Sequence, residues 1–194
     1  MRELITLVGP MRSGKTSFCV ALFPLLAAKS SRPFAIIEEN LRDPKGIPLS
    51  ILLRDLGDGG KIGFASRGRD PLDASKPYPP FDFSPQAFSW AESRIKEAVR
   101  KGCGPVILDE MGPLEAGEGG GFFGIAAWLM RHGDCPLVVT VRPGLEKVFA
   151  DRLRSASGFF PVKHFSIDNA PLDQLLGPVS AEIFLHCQNG EQAL

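Results

Sequence analysis

The chain lacks any run of five or more basic residues, and its 22 Lys and Arg balance its 22 Asp and Glu. Nothing in that balance favours nucleic acid or an anionic membrane as a partner. No apolar stretch approaches the length of a membrane span. Cysteine is sparse: Cys19, Cys103, Cys135 and Cys187 stand far apart, with no C-x-x-C pair among them. Neither a zinc site nor a redox dithiol is indicated by that spacing. The plain expectation is four buried, inert thiols in a reducing cytoplasm. The start, Met1-Arg2-Glu3, lacks a signal-peptide layout and leads straight into a predicted strand. No internal repeat is visible. A length of 194 residues suggests one domain, 1–194, large enough to bury a sizeable core.

What the chain does have is Gly9-Pro10-Met11-Arg12-Ser13-Gly14-Lys15-Thr16, which fits G-x-x-x-x-G-K-[ST]. The apolar run Leu4-Ile5-Thr6-Leu7-Val8 before it reads as a buried strand, and residues 15–29 after it read as a helix. A phosphate-binding loop needs that strand–loop–helix setting. Backbone N–H groups of the loop and helix start converge on phosphate oxygens, and the helix dipole adds attraction. The predicted phosphate-binding set is Gly9, Pro10, Met11, Arg12, Ser13, Gly14, Lys15, Thr16 and Ser17. Lys15 would reach the β- and γ-phosphates, and the Thr16 hydroxyl would ligate Mg²⁺.

A second acidic element follows. Val106-Ile107-Leu108-Asp109-Glu110 is an apolar strand ending in two carboxylates. In phosphate-loop NTPases a strand beside the first ends in an Asp that holds Mg²⁺. Asp109 takes that role, and Glu110 is placed to polarise the attacking water. Plain strand alternation would send the two side chains to opposite sides.

Strands alternating with helices predict an α/β three-layer sandwich with a mostly parallel central sheet. Residues 33–39 read as strand two. Pro24 should kink or end the first helix early. Residues 49–66 read as an inserted β-hairpin around a glycine-rich turn. Residues 67–83 read as a long loop whose Tyr78, Phe81 and Phe83 either stack on a base or pin the loop to the core. Arg67 and Arg69 add charge there, and hairpin and loop together are the expected walls of any acceptor pocket. Ser84 and Pro85 predict a helix start, with Ser84 as N-cap, and Gly102 its stop. Further helices are expected at 122–131 and 144–154, and strands at 136–141 and 162–167. The tail from 171 to 194 reads as one or two short helices, near 180–187, with a frayed end.

Three segments together resemble the THEP1-like nucleoside-triphosphatase family. They are the loop at 9–16, the stretch Asp109-Glu110-Met111-Gly112-Pro113-Leu114-Glu115, and Thr140-Val141-Arg142 at the end of a later strand. The second matches the family pattern D-E-[apolar]-G-x-[ML]-E at every fixed position. The element order, hairpin included, agrees over roughly residues 3–168. The resemblance implies slow, broad, Mg²⁺-dependent hydrolysis of ATP, GTP or other nucleoside triphosphates. It also draws Glu115 into the motif, as a base or as a structural carboxylate.

The chain departs from the family at Met11-Arg12, where Pro-Gly is usual. Arg12 therefore places a guanidinium near the γ-phosphate region, where it either stabilises charge or points to solvent. Thr140 and Arg142, at the carboxyl end of a predicted strand, are candidates to sense the γ-phosphate. The phrase Gly9-Pro10-Met11-x-Ser13-Gly14-Lys15 also resembles thymidine kinases of the zinc-containing class, although their four-cysteine lasso has no counterpart here. A nucleoside or small-molecule kinase is thus the second reading. A slow, nucleotide-switched protein that binds a partner is the third.

Overall fold

The apolar run Leu4–Val8 forms β1, and only its last residue is less than fully buried. Such a run, without polar alternation, belongs in the middle of a parallel sheet covered on both faces. In the computed structural model, which describes residues 2–29, 31–46, 48–67, 81–167 and 171–191, β1 lies between two parallel neighbours. The chain continues through α1 (Lys15–Ala28), β2 (Phe34–Arg42), β3 (Pro48–Asp55), β4 (Lys61–Arg67) and β5 (Phe81–Phe83). It then forms α2 (Pro85–Arg100), β6 (Val106–Met111), a wide π-type turn (Leu114–Glu118) and α3 (Phe123–His132). It ends with β7 (Leu137–Val141), α4 (Glu146–Ser157), β8 (Val162–Ser166) and α5 (Leu172–Glu191).

One eight-stranded sheet runs in the order β5-β4-β3-β2-β6-β7-β1-β8. From β2 to β8 all neighbours are parallel; β3, β4 and β5 extend the sheet antiparallel beyond β2. Each face has its own core. Leu4, Ile36, Val106, Leu108, Met111 and Val139 meet buried residues of α2, α3 and α4 on one side. Ile5, Leu7, Ala35, Ile37, Ile107 and Val138 meet α1 and α5 on the other. This is the three-layer α/β sandwich expected from the alternating pattern.

Several expectations need correction. β7 lies between β1 and β6, so the acidic strand is not beside the first one. Pro24 does not end α1, which runs to Ala28. Pro24 sits on the exposed face, while Phe18, Cys19, Leu22 and Leu26 keep the other face buried. Ser84 precedes α2 without a side-chain cap; its hydroxyl bonds the Gln86 side chain instead. Phe81 and Phe83 lie in a strand, not a loop, and Phe83 meets Phe64 edge-on with ring centroids 5.1 Å apart. They pin this segment to the core. Tyr78 and Arg69 lie outside the described residues, and nothing of Arg67's side chain is described. The tail is one long helix, because Val179 and Ile183 bury against the α1 layer, where the sequence shows Gly177-Pro178 as punctuation.

Candidate active site

The Gly9–Thr16 segment leaves the carboxyl end of β1 and turns into α1. Gly14 takes φ 90° at the helix start, a conformation that costs glycine little. A Cβ on Gly9 would lie 2.4 Å from Ser13 Oγ, so the loop closes only over a bare backbone there. Arg12 also has a positive φ, 66°, without being glycine. This is the position where the family pattern has Gly. Arg12 is exposed, so its side chain offsets none of the strain by packing. Arg12→Gly is expected to raise stability by up to about 1 kcal/mol, with Arg12→Ala giving no such gain. Urea unfolding of the three proteins checks this; equal midpoints for Gly and Ala would contradict it.

Lys15 is buried and folds back on its own loop. Its Nζ donates to the carbonyls of Gly9 and Pro10, each at 2.8 Å. Burial lowers its pKa, and the nearby carboxylates of Glu110 and Asp109 oppose that shift. One residue on, the Thr16 hydroxyl donates to Asp109 Oδ2 at 2.6 Å, across 93 residues of sequence. The first helix and the acidic strand are thus tied at the site.

Asp109 is buried and held from several directions. Thr140 at the end of β7 donates its hydroxyl to Oδ1 at 2.7 Å. The backbone N–H of Glu38 on β2 donates to Oδ2 at 3.4 Å. Burial raises the carboxyl pKa, and the hydroxyls of Thr16 and Thr140 pull it back. The Thr140 oxygen also accepts the backbone N–H of Glu110 at 2.7 Å. One hydroxyl therefore fixes both acidic residues.

Asp109 and Glu110 do not follow plain alternation. Leu108 pairs with Val139 and Met111 with Val141, so two residues of β6 stand opposite the single Thr140. That is a β-bulge, and Glu110 adopts φ 61° within it. Beyond the bulge Met111 rejoins Val106 and Leu108 in the same core. The bulge and the positive φ of Glu110 take it out of plain alternation, and both carboxylates lie within electrostatic reach of Lys15. Glu110 Oε1 accepts from Arg142 Nη2 at 2.6 Å and Nε at 3.3 Å. The two side chains remain 30% and 28% exposed. Arg142 is thus brought to the site through Glu110.

Glu115 is buried and occupied. Its carboxylate accepts the N–H of Gly112 at 2.9 Å and of Phe122 at 3.2 Å. It staples the turn after β6, and a Cβ on Gly121 would lie 1.9 Å from its Oε1. Of its two readings, the structural carboxylate fits this geometry.

Glu38 was not singled out in the sequence, although the Glu38-Glu39 pair ending a predicted strand was a signal for it. Burial pushes its carboxyl well up, reinforced by Glu110, Asp109 and Glu115 and opposed by Arg142. Asp109 and Glu115 shift the same way. A carboxyl with a raised folded-state pKa contributes stability below its unfolded value and loses it as pH rises through the folded one. Glu38→Gln removes one such loss. Its Tm is expected to fall less than that of the unaltered chain between about pH 5 and about pH 8. A steeper fall in the variant would refute this cause.

The donors at Thr16 and Asp109 are hard oxygens, which suit Mg²⁺. Among the described residues no cluster of three or more His, Cys, Asp or Glu is arranged to hold a metal. Two protein oxygens, completed by phosphate and water, are the usual manner of Mg²⁺ in phosphate sites. A separate cavity of about 500 Å³ opens between α4 and β8, lined in part by Val8, Glu146, Arg154 and His164. It lies at the opposite side of the sheet from β3–β5, the strands expected to wall an acceptor pocket. No helix among the described residues is long and apolar enough to cross a membrane.

Two solved structures share this architecture. THEP1 from the hyperthermophile Aquifex aeolicus matches with a TM-score of 0.62 over 94% of this chain and 99% of its own, at 16% identity. A human cancer-related nucleoside triphosphatase, solved in solution, matches with a TM-score of 0.63 over 93% of this chain and 96% of its own, also at 16% identity. The chain has the fold of these two proteins. At that identity the likeness is one of fold, and it agrees with the resemblance carried by the motifs. No protein-family model matches the sequence, and no curated protein matches it. The shared fold sets the loop at 9–16, Asp109 and Thr140 at carboxyl ends of parallel strands, where open α/β sheets bind their ligands.

Proposed function

We propose that the chain is a Mg²⁺-dependent nucleoside triphosphatase that transfers the γ-phosphoryl group of ATP or GTP to water. The observation that carries this reading is the meeting of Lys15, Thr16, Asp109 and Glu110 at one end of the sheet, sealed by the 2.6 Å bond from Thr16 to Asp109. Loop N–H groups and Lys15 bind the triphosphate. Thr16 and Asp109 would hold Mg²⁺, which supplies charge neutralisation at the phosphate oxygens when bound. Glu110 takes a proton from the attacking water. Arg142 orients the Glu110 carboxylate through their ion pair and would meet charge developing on the γ-phosphate. Arg12, exposed on the loop, would supply a second guanidinium. Positioning and charge stabilisation are most of what phosphoryl transfer requires. The fold shared with a protein described as a nucleoside triphosphatase supports the reading.

Phosphate release from a panel of nucleoside triphosphates, with and without Mg²⁺, is the test. Release that needs Mg²⁺ and disappears in Lys15→Met supports the hydrolase. Label transferred to an added nucleoside would replace it with the kinase, and slow release accelerated only by a partner protein would replace it with the switch.

A further inference from the structure

Cys103 and Cys135, read from their spacing as isolated thiols, meet in the fold. Cys103 ends the turn after α2, where its N–H donates to Ala98 O at 3.0 Å. Cys135 lies in the turn after α3, past Gly133, whose N–H donates to Leu129 O at 2.7 Å. The two turns lead into adjacent parallel strands. Val106 pairs with Leu137, and Val106 N–H donates to Pro136 O at 3.0 Å. Cys103 stands three residues before Val106, and Cys135 two before Leu137. The two turns therefore bring the cysteines to neighbouring positions at one end of the sheet, where each thiol acts on the other. Both pack against the same core and both are only partly buried. Their turns are tightly packed: a Cβ on Gly104 would strike Ser31 O at 1.6 Å, and one on Gly133 would come within 2.8 Å of Leu129 O.

We propose that Cys103 and Cys135 form a reversible redox pair that closes to a disulfide on exposure to hydrogen peroxide. The site lies at the amino ends of β6 and β7, opposite the phosphate loop, and the inference stands apart from the proposed hydrolysis. The interaction between the two thiols lowers the Cys103 pKa and raises that of Cys135. That direction favours Cys103 as the thiolate that attacks and Cys135 as the thiol that resolves. The Cys103 sulfur attacks one peroxide oxygen, the O–O bond breaks, and protonated hydroxide leaves as water. The sulfenic acid formed at Cys103 is then attacked by the Cys135 sulfur, and its hydroxyl leaves as a second water. In balance, two thiols and one peroxide give one disulfide and two waters. A dithiol reductant returns both hydrogens. Cys19 is the contrasting case: it is fully buried, and desolvation pushes its thiol well up.

The test is a peroxide titration of the folded chain, read by intact mass and by peptide mapping after the remaining thiols are blocked. The expected result is loss of two hydrogen masses and one cross-link between the peptides of Cys103 and Cys135, reversed by dithiothreitol. Cys103→Ser and Cys135→Ser should each abolish it, while Cys19→Ser should not. Closing the 103–135 loop should also raise Tm by roughly 5–10 °C. Cys187 is the discriminating control, because its charge also acts on Cys135. A cross-link through Cys187 instead, or sulfinic acid at Cys103 with no cross-link while the circular dichroism stays native, would overturn the proposal.

Discussion

Replacing Glu110 by Gln is expected to lower triphosphate turnover about 10²-fold or more while nucleotide binding persists. The substitution isolates one property. The backbone of Glu110 is held by its N–H bond to Thr140 Oγ1, which no side-chain change at 110 removes. The amide keeps an oxygen for the Arg142 guanidinium, so that contact survives in weaker form. What disappears is the capacity to take a proton from water. Glu115 cannot substitute, because both its oxygens are engaged by backbone N–H groups. Steady-state phosphate release and calorimetric binding of a non-hydrolysable triphosphate separate the two effects. Undiminished turnover would remove Glu110 as the base and turn attention to Glu38, the remaining carboxyl beside it.

Lys15→Met is expected to abolish turnover and to weaken triphosphate binding by about 10- to 100-fold, the usual worth of a hydrogen bond to a charged partner. Methionine keeps the apolar stem of a side chain that is only 8% exposed, so the fold should hold. The Lys15 ammonium rests on two loop carbonyls, Gly9 and Pro10. Phosphate oxygens would replace those acceptors and offer full charge besides. Diphosphate affinity should fall less than triphosphate affinity, since the γ-phosphate is lost as a partner. Equal affinity of the unaltered and substituted chains for triphosphate would show that the loop binds by backbone alone.

Much of this was legible because local rules and the fold agree. The run Leu4–Val8, the glycines of the loop and Lys15-Thr16 state strand, turn and helix in immediate succession. The hairpin at 49–66 was legible from its Asp-Gly-rich turn, where Asp55 and Asp58 accept the N–H groups of Gly57 and Gly60 at 2.7 and 2.8 Å. What failed was non-local. Nothing near Pro24 or Pro178 says that a buried opposite face will carry a helix past a missing N–H. The short β5 exists because β4 offers it an edge and Phe64 offers it a ring. Thr140 was suspected from its place at a strand end, but its bond to Asp109 depends on β7 being inserted beside β6. The meeting of Cys103 with Cys135 rests on that same strand neighbourhood, which spacing along the chain does not encode.

The bulge at Asp109-Glu110 makes this strand sensitive to counting as well as to chemistry. The extra residue is admitted at a single rung of the ladder, with Leu108 and Met111 in one core on either side of it. Removing either acidic residue would therefore close the bulge into plain alternation: Met111 would keep its core and its place opposite Val141, but a single residue would stand opposite Thr140 and one carboxylate would be lost from the site. Adding a residue would instead turn Met111 to the other face and carry the Gly112–Phe122 turn, with its Glu115 staple, to the wrong side of the sheet. Length is under as tight a constraint here as identity. Among tolerated changes to this segment, substitutions should be common and single-residue insertions or deletions nearly absent, the reverse of what an ordinary surface loop permits.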